Sequence, residues 1–85
     1  MATSKPKFTA ADRKALALAA FLFYVEREYQ VELNHYSTCD FLRLTVYYHK
    51  TQVLEHCPLL DWPFVSCEEH DLGAFDRVST WTIPL

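Results

Sequence analysis

Residues 41–49 read FLRLTVYYH, and two sets of signals compete for them. Just upstream, Ser37–Asp40 (STCD) has the form of a helical capping box, and Tyr36 with Phe41 fits the hydrophobic staple that accompanies one. Those signals favour a helix. Within the segment, however, Leu42, Leu44, Val46 and Tyr48 alternate with Arg43, Thr45, Tyr47 and His49. That is the two-residue period of a strand with one face buried. Wound as a helix, the segment gives no coherent apolar stripe, since Arg43 and Lys50 fall among Val46, Leu54 and Cys57. The alternation and the β-branched and aromatic content tip the reading to a strand at about 42–49. A short helical turn around Thr51–His56, stopped by Pro58, is expected to follow. The alternative is a second helix at 38–56, which would make the chain mostly α with a C-terminal β-hairpin.

Upstream lies the most apolar stretch, Ala15–Val25 (ALALAAFLFYV). Thr9 fits an N-cap, with Asp12 three residues on, where a capping box needs an acceptor and the helix dipole favours an acid. Ala10–Ala20 supplies six Ala and two Leu, strong helix formers. The pattern continues through FLFYVEREYQVEL, and NHYST ends it, so one long helix is expected over roughly residues 9–32. Leu18, Leu22, Val25 and Tyr29 make one apolar stripe, and Leu16, Ala20 and Phe23 with Ala19 make a second; Phe21 and Tyr24 widen the arc. A helix apolar nearly all round must be covered on most sides, by the rest of the chain or by a second copy. Leu22 is expected to be buried by one or the other. The run is too short for a membrane span, which needs about 20 residues.

The last third reads as β. Phe64–Cys67 (FVSC) follows the Pro63 break as a short strand, and residues 77–83 (RVSTWTI) set Ser79, Trp81 and Ile83 on one face against Val78, Thr80 and Thr82. The connection EEHDLGAFD carries the sole glycine, Gly73, where a turn needs a positive φ. The expected fold is α+β: one long N-terminal helix packed on a small antiparallel sheet of about three strands. Residues 1–8 are expected to be a flexible tail and 9–85 a single compact domain, because 85 residues leave room for one modest core.

Composition narrows the function. Six Phe, five Tyr and two Trp are a heavy aromatic load for this length, more than a small core covers, so an interaction module or homodimer is favoured. The net charge is −3, unevenly spread. Residues 57–76 carry Asp61, Glu68, Glu69, Asp71 and Asp76 without a Lys or Arg. No basic stripe is present for direct contact with nucleic acid. Three Cys, an odd number, argue against a disulfide framework, and MATSKPKF lacks the apolar core of a secretory leader. A cytoplasmic location with free thiols is expected.

Chemistry has few candidates. His35, Cys39, Cys67 and His70 can be written as a Cys2His2 zinc set, although the spacing is unlike common fingers and the adjacent His56 and Cys57 compete. Cys67 has Glu68, Glu69 and His70 beside it, but neighbouring carboxylates raise a thiol pKa rather than activate the thiol. One glycine cannot build a phosphate loop. No catalysis and no cofactor are expected. Binding remains. LLDWPFVSCEEHD (Leu59–Asp71) sets Trp62 and Phe64 among acids, the pattern of aromatic anchors with a charged rim. Asp61, Trp62, Phe64, Glu68, Glu69 and Asp71 are the expected contact residues for a larger protein with a basic surface, which the module docks on and occludes. One concrete form is a phage- or mobile-element-encoded inhibitor of a host nucleic-acid-handling machine. The alternative is a small zinc-stabilised regulatory protein using His35, Cys39, Cys67 and His70.

Overall fold

The structure, a computed structural model, describes residues 9–35 and 38–85; the expected tail at 1–8 and the staple and cap residues Tyr36 and Ser37 lie outside them. Helix α1 (Ala10–Glu26) begins as its sequence requires. The Thr9 hydroxyl accepts from the Asp12 N–H at 3.2 Å, and the Asp12 carboxylate accepts from the Thr9 N–H at 3.0 Å. The backbone bond from Thr9 holds the Asp12 carboxyl below its usual range.

The far end of α1 differs from expectation: the helix stops at Glu26 rather than near residue 32. Glu28 takes a left-handed backbone, φ +64°. This lets its N–H reach the Val25 carbonyl at 3.0 Å and the Tyr29 N–H reach the Tyr24 carbonyl at 3.1 Å. That bond pair is a Schellman cap, completed by the usual apolar contact, here the Tyr29 ring edge-on to Tyr24 with centroids 5.4 Å apart. The chain then leaves as strand β1 (Gln30–His35), with Val31 and Leu33 turned to the core.

Strand β2 (Phe41–His49) forms as the alternation requires, and the mostly-α alternative is overturned. The helical turn expected at Thr51–His56 does not form: the chain turns at Lys50–Thr51, bends at Gln52 and has no regular structure at 53–57 before one turn of 3-10 helix at Pro58–Leu60. Strand β3 covers Ser66–Leu72, later and longer than FVSC, and absorbs much of the expected connection. Strand β4 (Asp76–Pro84) follows a tight turn in which Gly73 has φ +69°, the conformation its isolation in the sequence suggested. The fold is α+β, one helix on an antiparallel sheet of four strands, in the order β1-β2-β4-β3.

The core sits between α1 and one face of the sheet. Ala17, Ala20 and Tyr24 of α1 meet Leu42, Leu44 and Val46 of β2 and Ile83 of β4, with Cys57 and Leu60 closing one side. Two small alanines let the helix axis approach the strands, and the fully buried Tyr24 stacks on Trp81 at 5.6 Å. Tyrosines also strap down the segment before Cys57: the Tyr24 hydroxyl donates to the Glu55 carbonyl at 2.7 Å, and the Tyr29 hydroxyl accepts from the Glu55 N–H at 3.2 Å. Arg27 pairs with the Glu55 carboxylate. Burial drives the Tyr24 phenol far above its ordinary pKa, so it serves as a neutral donor. Ser79, fully buried, shares a 3.2 Å hydrogen bond with Tyr48.

Of the two helical stripes, the core uses the second. Leu16 and Ala20 are buried and Phe23 half-buried, whereas Leu18, Leu22 and Val25 are 52%, 47% and 43% exposed. Of the two covers expected for Leu22, the described part of this chain does not supply one.

Candidate functional site

β3 is the free edge of the sheet beyond β4, and all seven of its residues are exposed. Its register with β4 is unbroken from Ser66 opposite Thr82 to Leu72 opposite Asp76. At about 3.4 Å per residue the strand is a strip about 24 Å long, with one ladder of N–H and C=O groups facing outward.

The six expected contact residues fall on two segments. Glu68, Glu69 and Asp71 lie on β3, but not as one cluster. Side chains alternate along a strand, so Glu69 and Asp71 share the face of α1 while Glu68 and His70 take the opposite face. Asp71 is also the least available. Arg77 donates to it at 3.0 Å and Lys50 lies 3.4 Å away; the Arg77 bond, then Lys50, hold its carboxyl below the usual range. Glu68 contacts His70 at 3.2 Å, and Asp61 contacts His56 at 2.8 Å. Glu69 has no ion-pair partner among the described residues.

Trp62 and Phe64 precede β3, their rings stacked at 6.2 Å. Phe64 packs on the core with the Arg13 guanidinium 4.2 Å above its ring, so it plugs the end of the core. Trp62, 40% exposed, is the projecting member. Two residues that the sequence reading passed over stand at the other end of the strip. Leu72 is 44% and Phe75 69% exposed, and Phe75 stacks on His49 at 6.1 Å. The available signal was a phenylalanine placed two residues after the only glycine, in a turn that should be polar.

The zinc set is not brought together. His35 ends β1 and Cys39 lies in the link to β2, whereas Cys67 and His70 lie on β3, three strand spacings or about 14 Å across the sheet. Cys67 and His70 also point to opposite faces, and no metal-holding group of three or more His, Cys, Asp or Glu occurs among the described residues. The Cys67 thiol pKa is raised by desolvation and then by Glu69 and Glu68, and His70 is engaged with Glu68 on the opposite face, an environment opposed to a nucleophile. Burial likewise raises Cys57. The sheet face away from α1 is a shallow, mixed-charge depression of about 460 Å³ whose walls include Glu32, Arg43, Glu68 and His70.

Among the described residues no helix is long and apolar enough to cross a membrane. No family model, curated protein or solved structure matches the chain.

Proposed function

We propose that the protein is a small cytoplasmic binding module that docks on a larger protein with a basic surface and occludes it, using β3 and the residues at its two ends. The observation that carries this reading is the exposure of β3 along its whole length on both faces. An antiparallel sheet commonly covers one face of each strand. Here an acidic strip with Glu68 and Glu69 is left open instead, bracketed by Trp62 before it and Leu72 and Phe75 after it. Aromatic groups supply the apolar area of such a contact, and the carboxylates supply orientation and speed of encounter. The outward ladder of β3 offers main-chain hydrogen bonds to an extended basic segment of the partner. No catalytic step and no cofactor are part of this reading; an inhibitor that blocks a nucleic-acid-handling machine is one form it takes.

The test compares the parent chain with Glu68→Lys/Glu69→Lys, which reverses one carboxylate on each face and leaves every apolar residue in place. Both chains are used side by side to capture partners from the native host, and binding kinetics on the captured protein follow at two ionic strengths. Circular dichroism should show both chains folded, because exposed charges contribute little to stability. The reversed chain should associate more slowly and with a weaker salt dependence. Equal association of the two chains would remove β3 from the contact.

A further inference from the structure

α1 carries four charged side chains, Asp12, Arg13, Lys14 and Glu26. Two are occupied within the chain. Asp12 closes the cap with Thr9, and Arg13 donates to the Pro84 carbonyl at 3.1 Å while lying over Phe64. Lys14 and Glu26 are exposed and have no ion-pair partner among the described residues. Glu26, the last helical residue, also sits at the less favourable end of its own helix dipole. Between them, at four-residue steps, come Leu18 and Leu22, the outward apolar row that this chain leaves 52% and 47% exposed. Ala15 and Ala19 beside that row are exposed and small, so another helix can approach closely.

We infer that a second copy of this chain covers the row, with α1 packed antiparallel on α1 about a two-fold axis level with residue 20. The pattern Lys14–Leu18–Leu22–Glu26 selects that occupant, because reversing it places opposite charges and like side chains face to face. Leu18 meets Leu22 of the second copy, Ala15 meets Val25 of the second copy, and Lys14 meets Glu26 of the second copy, each twice by symmetry. At 1.5 Å per residue the charges lie about 9 Å to either side of the axis, and at the crossing of about 50° that four-residue ridges on both helices favour, the long Lys14 and Glu26 side chains span the remaining gap. Antiparallel pairing also brings each charge beside the favourable end of the other helix. A single helix pair is at the small end of specific interfaces, so the dimer is concentration-dependent rather than obligate. This surface is separate from β3, and neither contact requires the other.

The experiment is sedimentation of the full chain at low salt, from about 1 µM to about 1 mM, a span that brackets weak self-association. The parent should pass from monomer to dimer. Lys14→Glu and Glu26→Lys each create two like-charge contacts and should weaken the dimer roughly tenfold or more. Glu26→Lys improves the match to the helix's own dipole and Lys14→Glu lies past the first turn, and circular dichroism of both variants separates lost association from unfolding. Mixed in equal amounts, the two variants should associate with each other at about parental strength. The carboxylate introduced at position 14 of one chain then faces the ammonium introduced at position 26 of the other. Leu22→Asp should remain folded and monomeric. A parent chain that stays monomeric throughout overturns the inference. A parental dimer that neither single charge reversal weakens, or whose variants fail to recover on mixing, overturns this register of helix pairing.

Discussion

β2 and β3 are both partners of β4, one on each side, and both keep an unbroken antiparallel register with it. They could hardly differ more in exposure. Leu42, Leu44, Val46 and Tyr48 of β2 are buried, the first three in the core beneath α1, while every residue of β3 is exposed. Hydrogen bonding is therefore common to the two strands, and cover is what separates them. With β1 on one side, β4 on the other and α1 over one face, β2 is the structural centre; the only strand β3 pairs with among the described residues is β4. The largest expected effect tests this directly. Leu44→Ala, at full burial, should cost about 2–5 kcal/mol in urea unfolding through lost transfer energy and a cavity. Leu72→Ala, at 44% exposure, should cost less than about 1 kcal/mol. Similar costs at the two sites would mean that β3 is covered in solution, and the open-strip reading would need revision.

The same contrast explains what could be read from the sequence. Alternating apolar residues report that one face of a strand is covered, so β2 and the Ser79–Ile83 half of β4 announced themselves. Strand β3 has charged residues on both faces, neither of which is covered among the described residues, and most of it looked like a connection. The boundary between α1 and β1 was hidden for a different reason. Glu28 provides the left-handed cap with no Gly, Asn or Pro to mark it, while Val31 and Leu33 fit a continuing helix as well as a strand. Both helical stripes were visible, but the choice between them depends on which side Ala17 and Ala20 present to the sheet, a tertiary matter. Of the expected contact residues, Trp62, Glu68 and Glu69 are exposed at the surface. Phe64 belongs to the core, and Asp71 is engaged by Arg77 and Lys50.

Intermediate effects are expected at the two left-handed positions, one leading into β1 and the other at the β3–β4 turn. Glu28 has φ +64° and Gly73 has φ +69°, so nearly the same backbone carries a side chain in one place and none in the other. At Gly73 an added Cβ would meet nothing within 4 Å. Gly73→Ala therefore isolates the conformational cost, about 1 kcal/mol of destabilisation. Glu28→Gly should act in reverse and stabilise the chain by up to about 1 kcal/mol, since glycine is the residue a Schellman cap prefers. The sites do not share partners, so the double variant should come close to the parent in chemical denaturation. A destabilised Glu28→Gly would show that the glutamate side chain supports the cap in a way its backbone alone does not.

The smallest effect concerns how the end of β3 is pinned to the rest of the sheet. Across the centre, Tyr48 of β2 and Ser79 of β4 share a buried hydrogen bond between neutral groups, which acid leaves unchanged. At the edge, Asp71 of β3 is held by Arg77 of β4 and by Lys50 just past β2. Its carboxyl lies below the usual value in the folded chain, first through the Arg77 bond, so the folded state binds the proton less readily than the unfolded chain does. The stability this contributes is present above the ordinary carboxylate pKa of about 4 and is lost as pH falls through the lower folded value. Because the pair is exposed, the contribution is small and salt weakens it. Asp71→Asn should thus melt slightly below the parent at neutral pH and low salt. The gap should narrow with added salt and with acid below about pH 4, and close once the pH is under the lowered folded value. Melting curves of both chains at neutral and acid pH provide the comparison. A gap that persists undiminished in acid would assign Asp71 a role independent of its charge, and β3 would then be pinned by the same kind of neutral contact as the centre of the sheet.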